Sequence, residues 1–180
     1  SEKYGTPVFL RPTTRVCHGY ASIMVKDETE YTHHQPEGFI KDSKRWVIFP
    51  RLSFMNHKKI EARNQELSDI FSSYEKNTIH PSCDAFKDSK KGIATGGISY
   101  TYTMETLKKT GMVKTLKIAT PHPFPEKLAV DFLSGLDEVL CLEELDPVIE
   151  RELIYICGKY HLPTRINGKL SGHTACAGEN

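Results

Sequence analysis

The chain has 180 residues, of which 38% are hydrophobic and 26% are charged, as in ordinary globular proteins. Its 24 basic and 23 acidic side chains leave a formal net charge of +1, which argues against nucleic acid or an acidic membrane surface as a partner. The sequence contains no run of about 18 apolar residues, so it does not predict a membrane-spanning helix. The five cysteines form no CxxC pair, which excludes zinc-ribbon and iron–sulfur patterns here, and an odd number of thiols indicates a cytoplasmic protein.

The first 25 residues are predicted to be the end of a preceding domain. The opening Ser1 to Gly5 is typical of the last turn of a helix that ends at a glycine, which indicates a piece of a longer polypeptide. A short strand is predicted over residues 7–11, and Pro12 ends it. Residues 11–18, at the end of this strand and just after it, contain two guanidinium groups, two hydroxyls and an imidazole. Together these groups could bind a carboxylate or phosphate, or they could contribute to an interface. These candidate residues are Arg11, Thr13, Thr14, Arg15 and His18.

Residues 26–49 carry charges, prolines and histidines without a period, which predicts a linker between domains. The pair His33-His34 has no third or fourth ligand at suitable spacing, so a solvated linker is favoured over a metal site. From Pro50 to about Lys76, apolar residues recur at helical spacing and predict a long helix. Residues 77–89 are predicted to form a loop.

From residue 92 onward, strands alternate with helices, and this pattern predicts an α/β domain with a parallel sheet. Asp146 precedes Pro147, a typical start for the last helix. The polar, Gly-rich residues 171–180 are predicted to be a second linker. The predicted strands cover residues 92–95, 113–119, 138–142 and 164–166, and the predicted helices cover residues 98–110, 126–134 and 147–160.

The loops that follow these strands should lie at one edge of the sheet, where α/β proteins bind ligands. Gly96 and Gly97 could expose the amides of a helix N-terminus to an anion, or could form only a tight helix start; they match neither a P-loop nor a Rossmann fingerprint. Glu143 and Glu144 could act in acid–base chemistry or could hydrogen-bond at the end of an element. His122, held between two prolines, could face an interface or substrate channel, or belong to an ordinary loop.

Four separated motifs together resemble the alpha subunits of the indolepyruvate:ferredoxin oxidoreductases, members of the 2-oxoacid:ferredoxin oxidoreductase family. They occur in the family's order and extend over nearly the whole chain. The motifs are LRPTTRVCH at residues 10–18, GIATGGISY at 92–100, TPHPFPEK at 120–127 and EVLCLEELDPVIE at 138–150.

The resemblance implies a three-layer, parallel-sheet α/β domain at residues 50–170, similar to the C-terminal domain of transketolase. It implies that residues 1–25 end a thiamine pyrimidine-binding domain, that residues 26–49 are a linker, and that residues 171–180 lead to a thiamine diphosphate-binding domain. Such enzymes oxidatively decarboxylate aryl pyruvates to acyl-CoA with thiamine diphosphate, Mg²⁺, coenzyme A and iron–sulfur clusters, and reduce ferredoxin. The implied partners are the rest of the alpha subunit, a beta subunit, ferredoxin and a second copy of the chain.

The family's diphosphate-binding run, its catalytic glutamate and its cluster-binding cysteines have no counterpart in this sequence. We therefore expect no cofactor to be held by these residues and no catalysis by the chain alone. Arg11, Thr13, Thr14 and Arg15 lie nearest in sequence to the implied cofactor-binding domain. Two other functions remain open, an independent module that binds coenzyme A or a nucleotide, and a domain for oligomerisation.

Overall fold

The computed structural model describes residues 1–31 and 38–177. These residues form two compact units, Ser1–Met55 and Asn56–Asn180. The domain boundaries predicted from the sequence remain predictions.

The first unit contains short helical turns in its described residues. The α-helices are α1 (Thr14–Cys17) and α2 (Ser43–Trp46), and 3₁₀ turns cover Glu2–Tyr4 and Glu28–Glu30. The strand predicted for residues 7–11 is wrong: this segment is irregular, and Phe9 and Leu10 are each 90% exposed. A strand needs a neighbour to satisfy its backbone groups, and no described residue pairs with this segment.

Helix α3 (Pro50–Ser72) begins at the predicted proline and ends four residues before the predicted Lys76. Its last residues tighten into turns, because the amides of Ser73 and Tyr74 bond carbonyls three residues back. Near its end the buried hydroxyl of Ser68 donates to the carbonyl of Phe124, 2.6 Å away. The second half of α3 thereby holds the loop that precedes α5.

The second unit is an α/β domain, as predicted, in which a five-stranded sheet is crossed by three further helices. Its strands are β1 (Thr78–His80), β2 (Lys91–Gly96), β3 (Lys114–Ile118), β4 (Glu138–Leu142) and β5 (Arg165–Asn167), and its helices are α4 (Gly97–Thr110), α5 (Glu126–Leu133) and α6 (Val148–Tyr160). The similarity to the C-terminal domain of transketolase stays a prediction.

The sheet has the order β1-β3-β2-β4-β5, in which β3, β2, β4 and β5 are parallel. Strand β1 pairs antiparallel with β3, with Thr78 opposite Lys117. The prediction of a loop over residues 77–89 missed this edge strand, because three residues are too short to show a period in the sequence. Strand β2 connects to β3 on one side and β4 connects to β5 on the other, so the switch point of the topology lies between β2 and β4.

Three layers result, with unequal cover on the two faces of the sheet. One face, with Ala94, Leu116 and Val139, packs against α5 and α6 through residues such as Phe132 and Leu153. The other face is covered by α4, whose buried side chains are Ser99, Thr103 and Leu107. The main core therefore lies on the α5–α6 side, and the α4 side is only partly closed.

Candidate functional site

The carboxyl ends of β2 and β4 lie next to each other at the switch point. Thr95 pairs with Leu142 across these strands, so the glycines after β2 and the glutamates after β4 leave the sheet side by side. The structure thus places Gly96, Gly97, Glu143 and Glu144 at one edge of the sheet. This is the edge at which open α/β sheets bind their ligands.

The carboxylate of Glu143 caps helix α6. It accepts hydrogen bonds from the backbone amides of Val148, Ile149 and Glu150, at 2.9, 2.8 and 3.0 Å. The Glu143 side chain is buried, and burial raises the pKa of its carboxyl group while the three amides act in the opposite direction. An acceptor committed to three amides is a poor general base, so this geometry favours a structural role for Glu143.

The start of α6 differs from the one that the sequence suggested. The helix begins at Val148, Pro147 occupies the N-cap position, and no N-cap side chain bonds the first turn. The capping carboxylate instead comes from Glu143, five residues before the helix, because the loop after β4 folds back over the free amides. Glu144, the neighbouring carboxylate, is half-buried and takes no part in these three bonds.

Helix α4 begins without such a cap. Its N-cap residue is Gly96, which has no side chain to offer, and no side chain within residues 1–31 and 38–177 accepts a hydrogen bond from its first turn. A Cβ atom at residue 96 would lie 2.7 Å from the carbonyl oxygen of Ile118, so only glycine fits there. Gly97 follows with φ 57°, in open space. Buried hydroxyls flank this turn: the Oγ1 atom of Thr95 and the Oγ atom of Ser99 have no hydrogen-bond partner among the described residues.

The loop after β3 is fixed by a side chain from residues 77–89, which the sequence predicted to be a loop. The buried Asn77 accepts from the amides of Ala119 and Thr120 at 2.7 and 3.2 Å, and donates to the hydroxyl of Thr120 at 2.6 Å. His122 is exposed on this loop, ahead of a cis peptide bond to Pro123. It lies near Glu152 of α6, where burial raises the pKa of the carboxyl group and His122 acts to lower it.

A polar cluster that was not predicted lies on the α4 face at the β1 edge. The Nε2 atom of His80 is 3.1 Å from the hydroxyl of Tyr100 and 3.3 Å from the hydroxyl of Thr78. The ammonium of Lys117 lies 4.5 Å from the centre of the Tyr100 ring. No signal in the sequence could reveal this cluster, because its position depends on β1, which is too short to be predicted.

A second feature that sequence reasoning missed lies in the first turn of α6. Glu150 is fully buried; its Oε2 atom accepts from the amide of Leu170 at 3.0 Å, and its Oε1 atom has no partner among the described residues. The chain after β5 lies directly against it, since a Cβ at residue 168 would be 2.7 Å from the Glu150 carboxyl carbon. Gly168 is therefore required by close packing.

The candidate residues of the first unit surround helix α1. Thr13 precedes the helix, Thr14 and Arg15 belong to it, and His18 follows it. Arg11 and His18 are exposed. The backbone thus groups these residues locally within Ser1–Met55, and their role as an anion grip stays a prediction.

Neither a metal-binding group nor a membrane span is found in the described part of the chain. No three His, Cys, Asp or Glu side chains among residues 1–31 and 38–177 are arranged to hold a metal ion. Over the same residues, no helix is both long and apolar enough to cross a membrane. The pair His33-His34 lies outside the described residues.

These features define a doubly wound α/β domain with its loops gathered at a switch point, and no protein-family model matches the chain. Curated relatives do match it. Subunit IorA of indolepyruvate oxidoreductase from Methanothermobacter thermautotrophicus is 35% identical over 174 residues, which is 96% of this chain and 27% of that protein. The IorA subunits of Pyrococcus abyssi (33% identical, 94% of the chain, 26% of the relative) and Archaeoglobus fulgidus (29%, 83%, 23%) match likewise.

The predicted family resemblance is thereby confirmed: the chain is a homologue of a segment of the IorA subunits. It spans about a quarter of the length of these relatives.

Proposed function

We propose that the chain is part of an oxidoreductase subunit that acts on aryl pyruvates such as indolepyruvate, and that it serves there as a structural and interface domain. The names of the relatives, indolepyruvate oxidoreductase subunit IorA, support the reaction class. In such an enzyme, thiamine diphosphate, Mg²⁺, coenzyme A and iron–sulfur clusters would be held by other segments. The partners would be the rest of the alpha subunit, a beta subunit and ferredoxin, and the enzyme would be cytoplasmic.

The observation that carries the interface role is the exposure of large apolar side chains in the first unit. A folded protein seldom leaves so many of them fully open to water unless another surface covers them. Those that are at least 90% exposed are Phe9, Leu10, Tyr20, Met24, Phe39 and Ile48.

The sheet edge of the second unit supports a role without catalysis. Glu143 uses its carboxylate to cap α6, and Gly96 is fixed by its contact with the Ile118 carbonyl. Of the edge residues proposed as candidates, His122 and Gly97 remain exposed and available to a neighbouring surface. The edge therefore offers shape and backbone groups rather than an acid–base pair.

A chimera tests this proposal. The matching segment of the M. thermautotrophicus IorA subunit is replaced by this chain, and indolepyruvate-dependent reduction of a viologen dye is measured with the partner subunit and cofactors present. We expect activity in the chimera and none in the isolated chain. Leu10→Asp or Phe39→Asp should block assembly, because each puts a charge into a covered apolar surface. Thr110→Asp, an exposed position on α4, is the control. Turnover by the isolated chain would overturn the proposal.

Melting of the isolated chain separates this function from a module that binds a coenzyme. A ligand at 100 times its Kd stabilises the folded state by about 2.7 kcal/mol, which raises the melting temperature visibly. We expect no shift with Mg²⁺ and thiamine diphosphate, or with coenzyme A. A saturable shift with coenzyme A would replace the structural role by a binding role.

A further inference from the structure

The partly closed face of the sheet contains a cleft beside α4. It has a volume of about 250 Å³, and Ile93, Leu142, Tyr102, Leu107 and Thr106 form its walls. Ile93 and Leu142 come from neighbouring strands, and the other three come from α4. We call this space the α4 cleft. It lies where α4 packs against strands β2 and β4.

One end of the α4 cleft is polar. Ser99 lines it, is 3% exposed, and belongs to the first turn of α4. Its Oγ atom has no hydrogen-bond partner among the described residues, and the same holds for the fully buried Thr95 at the end of β2. A buried hydroxyl without a partner costs free energy, so an acceptor from a ligand would be favoured at this end.

The same end carries positive potential. Ser99 belongs to the first turn of α4, so the positive end of the helix lies here, and no side chain in the described part of the chain caps its amides. A Cβ atom at residue 97 would meet no atom within 4 Å. Helix α6, which starts one strand away, shows which group suits such a turn, because a carboxylate there accepts from three amides at 2.8 to 3.0 Å. By analogy, the first turn of α4 could donate hydrogen bonds to a carboxylate, as the first turn of α6 does.

We propose that the α4 cleft binds a small monocarboxylic acid with an apolar body. The carboxylate accepts from the first-turn amides of α4 and from the Ser99 hydroxyl, and the body lies between Ile93, Leu107 and Leu142. A volume of about 250 Å³ is below the usual range for drug-sized ligands, which limits the body to a single ring or a branched alkyl group. The site does not depend on the proposed oxidoreductase function.

Amide chemical shifts of the chain, recorded by NMR during titration, test the proposal. The probes are phenylacetate and 4-methylpentanoate, with phenylacetamide as the neutral match and inorganic phosphate as an anion without a body. We expect saturable shifts at Gly97, Ile98 and Ser99 with both acids, and binding at least about 10-fold weaker for the amide because the charge is lost. The proposal is overturned if phosphate binds as tightly as the two acids. It is also overturned if neither acid causes saturable shifts at these residues.

Two variants locate the ligand. Thr106→Phe, at an exposed position of the cleft wall, should fill the cleft and abolish binding, whereas Thr110→Phe, one turn further along α4, should leave affinity unchanged. Ser99→Ala should weaken the acids about 10-fold, the usual loss for one hydrogen bond to a charged group. Equal affinity in Thr106→Phe and the unmodified chain contradicts the site. Because the isolated chain is used, failure here leaves the oxidoreductase proposal untouched.

Discussion

Helices α6 and α4 start from neighbouring parallel strands, and their first turns are treated in opposite ways. The amides of α6 are satisfied from within the chain, by the carboxylate of Glu143. The amides of α4 have no side-chain cap among the residues that the structure describes, and they follow a glycine that no larger residue could replace. The first-turn amides of both helices need hydrogen-bond acceptors, and a side chain of this domain supplies them for α6 but not for α4.

The length of the junction explains the difference. Strand β4 ends at Leu142 and α6 begins at Val148, so the intervening loop can fold a side chain back over the helix. Strand β2 ends at Gly96 and α4 begins at Gly97, with no residue between them that could do so. A junction without a loop therefore leaves a helix terminus available to a ligand or partner.

Removal of the α6 cap should have the largest effect. Glu143→Ala leaves three buried amides without their acceptor, and we expect a loss of about 3 kcal/mol of unfolding free energy in urea titrations. Glu143→Gln keeps an oxygen acceptor and should lose only about 1 kcal/mol. Glu144→Ala, beside it, serves as the control and should change little. Equal losses for Glu143→Ala and Glu144→Ala would contradict the capping role.

A larger residue at position 168, which packs against Glu150 in the first turn of α6, should reduce the free energy of unfolding by a smaller amount. Gly168→Ala brings a Cβ within 2.7 Å of the Glu150 carboxyl carbon, and we expect a loss of about 2 kcal/mol from this overpacking. The double variant Gly168→Ala with Glu150→Asp shortens the acid and should recover part of the loss. A purely additive result in the double-mutant cycle would show that the two residues do not press on each other.

At the start of α4, a backbone effect of intermediate size is expected. Gly97 has φ 57° and open space around it, so Gly97→Ala adds strain without a clash and should cost about 1 kcal/mol. Gly158 lies inside α6 with no atom near its added Cβ, so Gly158→Ala should stabilise the chain by up to about 1 kcal/mol. The melting temperature should fall in Gly97→Ala and rise in Gly158→Ala. Shifts of the melting temperature in the same direction would contradict the view that residue 97 needs glycine for its backbone conformation and residue 158 does not.

The smallest effect on stability is expected at Ser99. Its hydroxyl has no partner among the described residues, so Ser99→Ala should alter the unfolding free energy by less than about 0.5 kcal/mol, or raise it slightly. Thr103, one turn later, donates to the carbonyl of Ser99 at 2.7 Å, and Thr103→Ala removes that bond and its methyl group. A loss at Ser99→Ala as large as at Thr103→Ala would show that the Ser99 hydroxyl has a partner after all.

Hydrophobic periodicity predicted most of the second unit. Strand β4 was predicted residue for residue, and α4, α5 and α6 were predicted to within one residue at each end. The three helices are long enough to show a period, and glycines or prolines lie close to their ends, whereas β4 is recognised by its apolar residues between two charged ones. The short strand at residues 7–11 was predicted wrongly and β1 was missed, because strands of a few residues depend on a neighbour that local sequence does not reveal.

The sequence also identified the sheet edge and the residues there, but not what those residues do. Glu143 and Glu144 look alike in the sequence, and only the fold of the loop directs one of them to three amides of α6. Likewise Gly96 and Gly97 form one motif, although one glycine is needed for close packing and the other for its positive φ.

By itself, the sequence determined the α/β class, the main helices and strands and the family resemblance, because these depend on patterns along the chain. Tertiary structure decided which helix end is capped, which hydroxyls are buried without a partner, and where the α4 cleft opens. These depend on which residues distant in sequence meet across the sheet, and no local pattern encodes those distances.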